Sequence, residues 1–358
     1  MAISNQFKLV NRIGTFAQTV GRQPLNLDVG APLTGIDIRL RYTVATGATA
    51  PTGVQYGAVF QLAQLIQRME LVVNGEDTVM SVQPWLYIAR FAQERGGLFP
   101  RGFETPINMA ANQNTNVDVH IPIHFDLIRG RKRNDCAVDL RGIRAAQLYL
   151  TFGGAANLFG VPGATVAISN IIVDIEATYI EQVPARDKNG KPILFAVRQL
   201  DELTLPLPGA NNQTTLDIDQ RTGVNLISLG MFFDTLIGGV HGGDDTGLIN
   251  GATFQGDLKL RSGGSYFGVT QAAFVKARAR DEMRLINAGQ ALDVASMLNP
   301  EFPGFFFWDQ RYDGKLSTGI PTGALDANLQ LLLNQNFNTG NTTLFVQRES
   351  VRPLNVGI

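Results

Sequence analysis

The stretch from Gln67 to Arg95, QRMELVVNGEDTVMSVQPWLYIARFAQER, does most to narrow what this chain can fold into. Met69 to Val73 is an apolar, strand-like run. Asn74-Gly75 follows, and a tight hairpin turn with positive φ at both central positions favours that dipeptide. Thr78 to Val82 then reads as the returning strand. Pro84 suits the first position of a helix, where a missing N–H costs nothing. Trp85, Ile88 and Ala92 are spaced to share one helix face, and Gly96-Gly97 ends the run. The same punctuation recurs in the second half. Leu258 to Leu260 leads to Gly263-Gly264, then to an expected helix capped by Thr270 and carrying Phe274 and Ala277. A hairpin that hands over to one short helix, twice, points to a duplicated unit.

Strict alternation surrounds both copies. Ile36, Ile38, Leu40, Tyr42 and Val44 alternate with Asp37, Arg39, Arg41 and Thr43, the period of a half-buried strand. Val117, Val119, Ile121, Ile123, Phe125 and Leu127 alternate with Asp118, His120, Pro122, His124 and Asp126. Ala146 to Phe152 and Ile171 to Tyr179 repeat the pattern. The polar, proline-flanked segment Pro184 to Pro192 contains Asn189-Gly190 and reads as a boundary. Beyond it the order returns: Leu203 to Leu207, Val224 to Phe233, the FPGFFFWDQRYDG run where HIPIHFDLIRG stood, Ala327 to Asn334, and Thr343 to Gln347. The expectation is an all-β fold of two consecutive eight-stranded jelly rolls, each with a short inserted helix. The expected divisions are an N-terminal arm over 1–24, a first roll over 25–185, a linker over 186–192 and a second roll over 193–358.

Composition limits the classes of function. The 358 residues suffice for two cores, and 38 glycines with 16 prolines favour short strands and turns. A net charge of −1 argues against coating nucleic acid by counterion release. One cysteine, Cys136, permits no intrachain disulfide and fits assembly in a reducing compartment. No apolar run reaches the roughly 18 residues of a spanning helix. The first residues carry no apolar signal-peptide core, so a soluble chain outside the ordinary secretory route is expected.

Few residues suggest chemistry. His120 and His124 share a strand face with Asp118 and Asp126, which fits either a metal between neighbours or a polar outward face. HGGDDTG at 241–247 offers Asp244 and Asp245 as oxygen ligands for Ca²⁺, or is an exposed glycine-rich loop. Arg129, Arg131, Lys132 and Arg133 form a basic cluster suited to acidic lipid heads, nucleic acid or acids of a neighbouring subunit. Lys8, Arg12 and Arg22 lie in an N-terminal stretch without acids, and Ile3, Phe7 and Val10 fall at helical spacing. That combination suits an arm docked on a neighbour or an anionic membrane surface, or a segment packed on its own domain. No phosphate loop and no nucleophile constellation stands out, and no catalytic or metal site is expected.

In the order of these features the chain resembles the double-jelly-roll major capsid proteins of tailless icosahedral viruses, particularly small bacteriophages. The resemblance is carried by MELVVNGED with PWLYIARFAQ, by NVDVHIPIHFDL, by IIVDIEATYIEQVP and by their reprise, over most of residues 25–350. It implies homotrimers whose six rolls make a pseudo-hexagonal capsomer, with the helices at contacts and the arm facing inward. The implied partners are further copies of the chain, vertex (penton) and minor capsid proteins, and an internal membrane in some members. Sequence-specific nucleic acid and cofactors are not implied. The implied location is the virion, assembled in the host cytoplasm. Two other classes compete: a twin-jelly-roll enzyme such as a glycan amidase, and a carbohydrate-binding module. Paired disulfides and clustered histidines would favour the enzyme, and aromatic platforms with a secretion signal would favour the module.

Overall fold

A computed structural model of the chain describes residues 6–16, 21–49, 62–94, 100–103, 110–128, 132–133, 136–159, 166–180, 195–207, 213–219, 223–235, 257–283, 305–310, 319–334 and 342–353. The chain divides into two compact units. Unit 1 comprises Met1–Phe91, Phe99–Gln199 and Pro353–Ile358, and unit 2 comprises Ala92–Leu98 and Leu200–Arg352.

Unit 1 contains β1 (Gln6–Phe16), β2 (Gly21–Leu27), β3 (Pro32–Thr46), β4 (Ile66–Val73), β5 (Asp77–Val82), helix α1 (Pro84–Glu94) up to Phe91, and β6 (Asn114–His124). The short pieces β7 (Leu127–Ile128), β8 (Lys132–Arg133) and β9 (Val138–Asp139) follow. The unit closes with β10 (Ala146–Phe152), helix α2 (Ala155–Phe159) and β11 (Val166–Ile180). One sheet has the order β1-β11-β3-β6, with β9 beside β3, and the other runs β2-β10-β4-β5. Every pair within them whose register is known is antiparallel.

The strand β12 (Ala196–Pro206) begins in unit 1 and continues in unit 2. Unit 2 adds β13 (Gln213–Asp219), β14 (Asn225–Thr235), β15 (Asp257–Ser262), β16 (Ser265–Gln271), helix α3 (Ala272–Met283) and β17 (Phe305–Asp309). It ends with β18 (Ile320–Pro321), β19 (Leu329–Asn334) and β20 (Thr342–Pro353). Its sheets run β12-β20-β14-β17, with β18 beside β14, and β13-β19-β15-β16. Strand by strand the sheet order of unit 1 returns: β12 to β17 stand for β1 to β6, β18 for β9, β19 for β10 and β20 for β11. Even the two-residue appendage on the third strand recurs. Two four-stranded antiparallel sheets connected in this way are the jelly-roll order, and the chain contains it twice.

Alternation along the strands explains the packing. In β3 and β6 the apolar set Ile36, Ile38, Leu40, Val119, Ile121 and Ile123 is buried, while the intervening residues are half-buried. In unit 2 Leu229, Met231, Phe233, Leu258, Leu331 and Val346 belong to one continuous apolar core. Phe233 meets Phe306 edge-on at 5.5 Å, a geometry that adds about 0.5–1.5 kcal/mol to simple burial. The first hairpin turn is as its residues require. Asn74 and Gly75 have φ of 53° and 80°, and the Glu76 N–H donates to the Val73 carbonyl. Trp85, Ile88 and Ala92 of α1 are all buried, as their spacing demands.

Two local expectations fail. Gln6–Phe16 is a strand registered on β11, from Gln6 opposite Ile180 to Phe16 opposite Ile171, and not a helix. The long ladder offered by β11 outweighs a helical spacing of only three apolar residues. Thr270 does not cap α3, because β16 runs through it and the helix begins at Ala272. Pairing of Thr270 with Leu258 holds it in the ladder.

Candidate assembly surfaces

The outward face of β3 and β6 carries a set of paired polar side chains. On β3 and β6 the Arg39 guanidinium donates to both carboxylate oxygens of Asp118, at 2.8 and 2.5 Å. Arg41 donates to Asp174 at 2.5 Å, and His120 Nδ1 lies 3.1 Å from Asp37. Thr43 donates to Asn116 one row further along. These partners follow from register, since Arg39 stands between His120 and Asp174, and Arg41 between Asp118 and Ile172. The outcome is a ladder of alternating sign across three strands. The Arg39 bond holds the Asp118 carboxylate below the ordinary carboxylate range, and Asp118 raises the Arg39 guanidinium in turn.

The histidines are committed to separate partners. His120 faces Asp37, whereas His124 stacks on Phe91 of α1 at a centroid distance of 6.0 Å. Tyr87 of the same helix donates its hydroxyl to the Pro122 carbonyl at 2.9 Å. Helix α1 is thereby fastened to the outward residues of β6. Among the described residues no group of three His, Cys, Asp or Glu is placed to hold a metal. Cys136 is buried.

The basic residues singled out from the sequence are distributed over separate strands. Lys8 and Arg12 lie on β1 at the register positions of Thr178 and Asp174. Arg22 lies on β2, where its guanidinium sits 3.6 Å above the Tyr149 ring and pairs with Glu70 at 2.9 Å. Lys132 and Arg133 form β8, opposite Ile128 and Leu127. Arg129 and Arg131 lie outside the described residues, as do the 186–192 linker and the Gly-Asp-Asp loop at 241–247.

Unit 2 presents a different surface. Tyr266, Phe267 and Val269 of β16 are 57%, 42% and 61% exposed, and Phe274 of α3 is 57% exposed. Gly268 lies between them because a Cβ there would stand 2.7 Å from the Trp308 ring. A register shift falls between Leu260 and Arg261 opposite this segment, so Phe267 is the bulged residue. Sequence reading passed over this patch, although its signal was present. SYFGVTQ sets apolar residues side by side without alternation, between a glycine turn and a helix.

No family model matches the sequence, and no curated protein matches it by sequence. Solved structures do match, over nearly the whole chain. The STIV MCP is 13% identical, with 99% of this chain and 100% of that one covered at a TM-score of 0.70. A chain from the atomic structure of Sulfolobus Turreted Icosahedral Virus is 15% identical, covering 97% and 91% at 0.69. The chain has the fold of viral major capsid proteins. The likeness extends to the major capsid protein of bacteriophage PM2, 10% identical, with 98% and 99% covered at 0.54.

Proposed function

We propose that this protein is the major capsid protein of an icosahedral virion. The reading is carried by one observation: a jelly-roll strand order repeated in full, in a chain that matches capsid proteins from end to end rather than through one roll. A structural role needs broad, rigid side faces and no reaction centre, and antiparallel sheets with ordered polar outer faces supply them. The assembly unit we propose is a homotrimer forming a pseudo-hexagonal capsomer, joined by heterologous contacts to its neighbours. Vertex and minor capsid proteins are the further partners, and the virion, assembled in the host cytoplasm, is the location. The division proposed with it is a first roll up to 185, a linker over 186–192 and a second roll over 193–358, with β1 and the start of β2 from the 1–24 stretch paired into the first roll's sheets.

Lys8, Arg12, Arg129, Arg131, Lys132 and Arg133 are proposed as contacts to a neighbouring subunit or an anionic surface such as an internal membrane. Arg22 belongs with them by charge, although its pairing with Glu70 and Tyr149 gives it a local task as well. Light scattering of the purified chain, with electron microscopy of the same sample, tests the reading. A particle of three chains of 38.9 kDa, or hexagonal capsomers, is expected. A monomer at every salt and protein concentration would overturn it.

A further inference from the structure

Among the described residues the two units differ at one strand edge. In unit 1 the last strand of the β2-β10-β4-β5 sheet is not an edge. β12 follows β5 in the hydrogen-bonded order, its first residues Ala196–Gln199 belong to unit 1, and Gln199 donates to the Thr78 carbonyl. Accordingly β5 is largely covered: Val79, Met80 and Val82 are buried, and Asp77, Thr78 and Ser81 half-buried. In unit 2 the equivalent sheet ends at β16, and among the described residues no strand follows it. Five of the seven residues of β16 are exposed, Tyr266, Phe267 and Val269 among them.

An apolar strand with open N–H and C=O groups on its outer edge invites pairing, and soluble proteins ordinarily blunt such edges with charge or proline. β16 carries neither; its sequence is SYFGVTQ. The strand that covers β5 is β12, the first strand of a roll. The other first strand in the chain is β1, at the end of the order β1-β11-β3-β6, so its outer edge is unoccupied among the described residues. We propose that β1 (Gln6–Phe16) of one copy adds to the edge of β16 of the next, as β12 adds to β5. The contact is heterologous, so copies linked by it form a ring if the rotation closes. This rests on the capsid reading above and gives its trimer a specific joint, built by strand addition over an apolar patch.

Hydrogen exchange of the native chain, concentrated and then diluted until it dissociates, reads the joint directly. Amides of 265–271 and 6–16 are expected to exchange at least tenfold more slowly in the assembled form. Val269→Lys, and separately Tyr266→Lys, change side chains already exposed in the single chain. Each is expected to raise the concentration needed for assembly at least tenfold while the melting temperature of the dissociated chain stays that of the wild type. Trimers in which both segments exchange as they do in the single chain, or in which both lysine variants assemble like wild type, would overturn the joint and leave the capsid reading intact. A native chain that never associates overturns both.

Discussion

The sheets β1-β11-β3-β6 and β12-β20-β14-β17 have the same order but opposite outer faces. On β3 that face is Asp37, Arg39, Arg41 and Thr43, half-buried and joined to Asp118, His120 and Asp174. On β14 the same face is Ser228, Gly230, Phe232 and Asp234, and all four are buried. Its neighbours are Phe305 and Phe345 beside Phe232, and Phe307 and Gln347 beside Gly230. One backbone plan therefore carries a half-exposed ionic ladder in unit 1 and a buried layer of phenylalanines and polar side chains in unit 2. Fold order alone does not determine how a face is used. The composition of every second residue does, because a strand turns alternate side chains to opposite sides.

The comparison can be broken by truncating one residue on each outer face. Phe305→Ala removes a fully buried ring from the outer face of unit 2, and a loss of about 3–5 kcal/mol is expected. Arg39→Ala, on the ionic face of unit 1, should cost less than about 1 kcal/mol, since its pair is more than a third open to solvent on the arginine side. Urea unfolding followed by hydrogen exchange in each unit separates the two effects, which a single melting temperature would merge. Similar losses at both positions would mean the faces are not different in kind.

Polar groups sharpen the same contrast. Glu349 and Ser228 are both buried, and the Ser228 hydroxyl donates to the Glu349 carboxylate at 2.5 Å. Ser228→Ala leaves that carboxylate one donor short where water cannot replace it, so about 1–3 kcal/mol should be lost. Thr43→Ala removes a comparable hydroxyl from the exposed Thr43–Asn116 pair and should be within about 0.5 kcal/mol of neutral. Equal effects in denaturant titration would count against the assignment of a dry face to unit 2.

Residues explain which parts of this were readable from sequence. β6, β10, β3 from Ile36 and β11 from Ile171 to Tyr179 alternate, so strand, face and burial were visible there, and Asn74-Gly75 marked the turn. The two-roll order was readable because each hairpin is followed by a helix. β17, Phe-Phe-Phe-Trp-Asp, has no alternation to read, since both of its faces are buried. That is why the dry outer face of unit 2 escaped notice. β1 was misread because Gly14 and a bulge between Arg12 and Gly14 interrupt its period, leaving only a helical coincidence. The surface patch on β16 was missed for a different reason. SYFGVTQ breaks alternation between a glycine turn and a helix, but whether such a run is covered depends on its three-dimensional neighbours, and among the described residues no strand lies beyond β16.

Acid provides the finest test of the ionic face. The Arg39 hydrogen bond, opposed in part by burial, holds the folded Asp118 carboxyl below its ordinary 3.8. A carboxylate depressed on folding stabilises the fold above its unfolded pKa, and that contribution is lost as pH falls through the folded value. Wild type should therefore exceed Asp118→Asn in stability at neutral pH by less than about 1 kcal/mol, because the pair is partly exposed and screened. The gap should close as pH drops below about 4, where protonation removes from wild type what the substitution has already removed. Added salt should narrow the neutral-pH gap as well, since a solvated pair is screened within roughly 10 Å at 0.1 M. The Ser228–Glu349 pair gives the control, because a buried contact responds far less to salt. Stability curves for the two variants, taken against pH at low and high salt, would place each sheet on the wet or dry side by its chemistry. If Asp118→Asn tracked wild type through the acid range, the Arg39–Asp118 bond would contribute nothing in solution, and the ladder would be a static pairing without energetic weight.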